Sequence, residues 1–150
     1  MSFNVKLFDK VVKHILEVPD RLAMGIPVAK GKNIVDESHN YETGSHNSVV
    51  LQPPCGTAGC FGGWTVLLGS FGRMRDKVSE WNDVGWNTVK EVASDLLGLD
   101  SETLQKLFHV EYWPQNFQDD WFRTKKPAVR AKILAERAAQ FRAWALEEGL

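Results

Sequence analysis

A chain of 150 residues with a formal net charge of -1 lacks the positive excess of a general nucleic-acid or membrane-surface binder. Its 43% hydrophobic and 25% charged residues are those of a globular domain, and a chain this long buries about 70% of its unfolded surface without covalent staples. Its longest apolar runs fall far short of the roughly 20 residues a membrane span needs, and two cysteines make no disulfide framework. A single domain over residues 1–150 is expected. The opening MSFNVKLFDKVVKHI has no signal-peptide apolar stretch. A cytoplasmic setting with reduced thiols is therefore expected.

Leu7, Phe8, Val11, Val12, Ile15 and Leu16 recur at helical spacing, which predicts a helix from Phe3 to Glu17. Pro19 stops it, because the residue before proline avoids helical angles. The stretch PDRLAMG offers one short helical turn. No helical period holds from Gly25 to Gln52, so a small β-hairpin or an ordered loop is expected there. Thr57 to Leu68 is predicted as the next helix, capped by Thr57. Trp86 to Leu97 is amphipathic through Val89, Val92, Ala93, Leu96 and Leu97. Gly98 supplies its left-handed stop, Asp100 caps the following helix, and Leu99 and Leu104 form a staple across that cap. Pro114 opens a short helix with Trp113, Phe117 and Trp121 one turn apart.

The last predicted helix, Pro127 to Glu148, carries Ile133, Leu134, Phe141 and Trp144 on one face and a run of alanines beside it. Only about a third of its circumference is polar, which places it at the centre of the fold. Arg130 and Arg137 project toward the large apolar face and must snorkel or find carboxylates, with Asp95, Asp119 or Asp120 as candidates; the alternative is contact with an anion or an acidic partner. The expected architecture is a mainly α, compact bundle of about five to six helices with the hairpin or loop at 25–52.

Both cysteines lie in PPCGTAGCFGGW. A helix beginning at Thr57 would hold Cys60 in its first turn, where free N–H groups favour a thiolate. The base would have to be His109, the only histidine downstream. A Cys55/Cys60/His39/His46 zinc site is conceivable, although Cys-x4-Cys with His-x6-His is no standard finger spacing. Gly56, Gly59, Gly62 and Gly63 are followed by no Lys-Ser/Thr and fit no phosphate loop. The packing alternative makes Cys60 a small buried residue. Gly59 and Gly63 then clear a stripe for the alanine face of the last helix. EVASDLLGLDSETLQKLF has a helix-turn-helix outline but no basic second helix, so nucleic acid is not the expected partner.

CGTAGCFGGW resembles the Cys-Gly-Thr-x-x-Cys-x-x-Gly-Trp signature of a family of small uncharacterised proteins from bacteria and their phages. DRLAMG upstream, and LLGLD, LFHVEYWPQNF and the alanine-rich helix with Arg137 and Phe141 downstream, are similar to the same family. Gly62 stands where the family more usually has alanine. The resemblance implies a small, mostly helical protein with no established activity. It also implies an aromatic residue as the usual occupant of the His109 position, which argues against a Cys60–His109 dyad.

These readings lead to an expected non-enzymatic accessory protein that binds another protein and uses no cofactor. Such a protein would be phage- or mobile-element-encoded and would modulate a host process or defence system. Its binding candidates are His39, Tyr41 and His46 in the irregular stretch and the exposed members of Trp81, Trp86 and Trp113. The alternative is a cysteine-dependent hydrolase using Cys60 and His109, or a zinc protein built on Cys55, Cys60, His39 and His46.

Overall fold

The computed structural model describes residues 2–40, 43–54, 56–69 and 86–150. Tyr41, Cys55 and Trp81 lie outside the described residues, as do the other residues of 70–85. The described chain is mainly α with a small β part. Its helices are α1 (Val5–Glu17), α2 (Phe61–Gly69), α3 (Trp86–Leu97), α4 (Ser101–Phe108), α5 (Gln115–Arg123) and α6 (Pro127–Glu147). Its strands are β1 (Val28–Lys30), β2 (Ile34–Asn40), β3 (Ser45–Leu51) and β4 (Thr57–Gly59). No helix among the described residues is long and apolar enough to cross a membrane.

Local signals set most helix ends. The Asn4 side chain accepts a hydrogen bond from Leu7 N at 3.1 Å and caps α1. Val18 is extended ahead of Pro19, and a short 3-10 turn, Pro19–Arg21, follows. Gly98 has φ +70°, the left-handed conformation that ends α3. Asp100 Oδ1 accepts from Thr103 N at 2.7 Å and opens α4. Leu99 and Leu104 are both buried, as the staple requires.

The region 25–52, where a hairpin or an ordered loop is expected, holds a hairpin. β2 and β3 pair antiparallel, from Ile34 opposite Leu51 to Asn40 opposite Ser45. Period-2 alternation sends Ile34, Asp36 and Ser38 inward and Val35, Glu37 and His39 outward. The hairpin is bracketed by a second two-stranded antiparallel sheet, β1 with β4. Ala23, Ile34, Val49, Leu51 and Ala58 form a small core under these strands. The fold is therefore not a pure helical bundle.

Three expectations are corrected by long-range packing. Thr57–Gly59 is a strand, not the first turn of a helix, because it pairs with Val28–Lys30 and α2 starts only at Phe61. The helix buried nearly all round is α2, where every residue from Phe61 to Leu67 is buried. In α6 the buried stripe is Arg130, Ala131, Ile133, Leu134, Arg137, Ala138, Phe141 and Ala145, while Ala128 and Ala139 are exposed. Gly59 and Gly63 accordingly face no alanine helix. A Cβ on either would run into the carbonyl oxygen of Pro27, at the start of β1.

The Arg130 partner is also corrected. Its Nη1 meets Asp36 Oδ2 of β2 at 3.1 Å, with both side chains buried, rather than Asp95, Asp119 or Asp120. Arg137 has no carboxylate partner among the described residues. It donates to Gln140 Oε1 at 2.7 Å and to the Lys106 carbonyl at 2.9 Å.

Candidate functional site

Cys60 is fully buried immediately ahead of α2. Its Sγ accepts a hydrogen bond from Gly63 N at 3.3 Å, the geometry of a helix N-cap. Among the described residues no histidine hydrogen-bonds to it. Burial pushes the Cys60 thiol up to about 12, against the smaller pull of the Gly63 and Gly62 N–H groups. At neutral pH this is a protonated thiol, whereas a nucleophile or a metal ligand must be a thiolate. The helix-start effect read from the sequence is present here, but loss of solvation outweighs it.

His39 and His46 face each other across the hairpin, with ring centroids 4.4 Å apart, and both are exposed. Among the described residues no group of three or more His, Cys, Asp or Glu side chains is arranged to hold a metal ion. Cys60 lies in the main core and the two histidines lie on the outer face of the hairpin.

The described tryptophans divide between core and surface. Trp113 and Trp121 are buried edge to face at 5.4 Å, and Trp113 Nε1 donates to the Leu107 carbonyl at 2.8 Å. Trp113 is thus a core residue and not an exposed binding candidate. Trp86 is half-buried at the start of α3 and lines an open groove of about 270 Å³.

That groove brings three of the candidates together: His39, Trp86 and His109. One wall is Met24–Gly25 and β2, with the outward Glu37 and His39 and the inward Ser38 between them. The other is Trp86 with His109, Val110 and Glu111, the link between α4 and α5. The first wall is held by the Asp36 carboxylate and by close backbone packing. Gly25 N donates to Asp36 Oδ1 at 2.9 Å, and a Cβ at Gly25 would overlap the Glu37 carbonyl oxygen. Asp36 in turn is held by Arg130, whose guanidinium lies over the Trp121 ring at 4.4 Å. The buried ion pair thus fixes the strand that carries Glu37 and His39.

On the opposite wall Trp86 and His109 begin a row of rings that Tyr112 extends outside the groove's lining. Trp86 and His109 have centroids 5.1 Å apart, and Tyr112 meets His109 edge-on at 6.1 Å. Tyr112 is 53% exposed. Burial, with a smaller contribution from Lys90, pushes the His109 imidazole down to about 4. It is neutral at pH 7. Glu37 and Glu111 are exposed and have no ion-pair partner among the described residues.

Glu37, Glu111 and Tyr112 were not among the residues singled out for binding in the sequence. The available signal was the link HVEYWP, which places a histidine, a glutamate and a tyrosine in a short helix connection. No protein family, no curated protein and no solved structure matches this chain.

Proposed function

We propose that the chain is a non-enzymatic binding module that recognises another protein through the groove between β2 and the α4–α5 link. The observation carrying this reading is the convergence of Trp86, His109 and His39 from three distant segments on one open groove. Half-buried aromatic rings beside an exposed tyrosine are the usual anchors of protein interfaces. The burial of Cys60 supports a binding role over cysteine chemistry. A phage- or mobile-element-borne accessory protein that modulates a host process or defence system fits this reading, and that setting rests on the resemblance of the cysteine motif alone.

The test is affinity capture from a lysate of the source cell with the immobilised chain and with Trp86→Ala. A protein enriched by the first and at least about tenfold less by the second supports the reading. Circular dichroism of the variant checks that it is folded. Equal enrichment by both chains, or no enriched protein, overturns it.

A further inference from the structure

We propose that the groove receives a cationic side chain, arginine or lysine, presented by the partner protein. This rests on the protein-binding reading above and names the chemistry that the same site selects. The volume argues first. About 270 Å³ falls just below the roughly 300 Å³ at which pockets for cofactor-sized ligands begin. It is room for one long side chain.

The charge and the ring choose among side chains. Glu37 on one wall and Glu111 on the other present carboxylates without ion-pair partners among the described residues. Trp86 lines the same groove, and an indole offers the strongest cation-binding face of any side chain. A guanidinium stacks on an indole and forks to a carboxylate, and an ammonium sits over the ring face and pairs with a carboxylate as a point charge. His109, neutral at pH 7, adds no positive charge to the lining. Lys90, one turn along α3 from Trp86, acts on His109, and among the described residues it leaves the two carboxylates in excess. An anionic side chain would meet both glutamates, and an apolar one would strip water from them without return.

The probe is the peptide acetyl-Gly-Arg-Gly-amide, titrated to about 10 mM, since a single side chain binds in the millimolar range. The readout is the NMR shift of the Trp86 indole N–H, assigned by its loss in Trp86→Leu, and of the His109 ring C–H. Controls are the citrulline analogue, which keeps shape and loses charge, and acetyl-Gly-Glu-Gly-amide. The arginine peptide is expected to shift both signals saturably, with the citrulline analogue at least about tenfold weaker. The double variant Glu37→Gln/Glu111→Gln should lose that preference while its other resonances stay in place. Equal shifts from the arginine and citrulline peptides, or larger shifts from the glutamate peptide, overturn the cationic assignment while leaving a peptide-binding groove. No shift from the arginine peptide also overturns it, and the capture experiment then judges the protein-binding reading separately.

Discussion

Arg130 stands on α6 with its charge held by a carboxylate from a strand 94 positions away in the chain. Burial pushes the Asp36 carboxyl above its usual range. Arg130 and the Gly25 and Met24 N–H groups pull it back. Such a pair gains little net stability, but breaking it strands a buried charge. Arg130→Met alone is therefore expected to destabilise by about 3–5 kcal/mol. Adding Asp36→Asn removes the stranded charge and keeps the acceptor for Gly25 N–H. The double variant should recover at least about 1 kcal/mol of that loss in urea denaturation. Additive losses would show that the two residues do not act as a pair. The sequence announced the arginine, since a guanidinium on an apolar face needs a partner. It could not name Asp36, because only the tertiary fold brings β2 to α6.

Among the elements, α2 shows how one glycine differs from the next. A Cβ at Gly63 would overlap the Pro27 carbonyl oxygen, a backbone atom that cannot swing aside. A Cβ at Gly62 would meet Phe108 Cε2 at 2.9 Å and Val89 Cγ1 at 3.1 Å, both side-chain atoms. Alanine at either site gains up to about 1 kcal/mol of helix propensity. Gly62→Ala is expected to stay within about 1 kcal/mol of the parent, since that gain offsets a small ring shift. Gly63→Ala should cost about 3 kcal/mol or more. Thermal melts decide it, and equal melting temperatures would refute the difference. The element boundaries follow the same division. The α3 and α4 limits were legible because their periodicity, Gly98 and Asp100 are local. Thr57–Gly59 was misread as helix because its strand partner lies at Val28–Lys30.

Over the whole molecule, the hairpin and the helices are tied by side chains that cross between them. Asn47 of β3 donates to the carbonyls of Trp121, Phe122 and Thr124 at the end of α5. Trp121 Nε1 donates to Ser38 Oγ of β2 at 3.4 Å. Two-stranded hairpins are marginal alone, so this one is stable through those ties. The chain is expected to unfold in one transition, with far-UV and near-UV circular dichroism superimposing. Asn47→Ala should lower both midpoints together, by about 1–3 kcal/mol of stability, because carbonyls at the α5 end lose their buried donor. A hairpin signal lost before the helical one would refute the coupling.

The sequence by itself determined a mainly α chain, a non-helical stretch at 25–52 and most helix limits. Periodicity, caps and proline act within a turn or two, and those signals survive without the fold. The tertiary structure alone decided three things: which tryptophans reach the surface, what the glycines of α2 accommodate, and that Cys60 meets backbone N–H instead of a base. It alone assembled the groove, because residues 24–25, 37–39, 86 and 109–111 adjoin only when strands and helices pack. Burial and charge pairing are sums over such distant neighbours, and no local pattern records them.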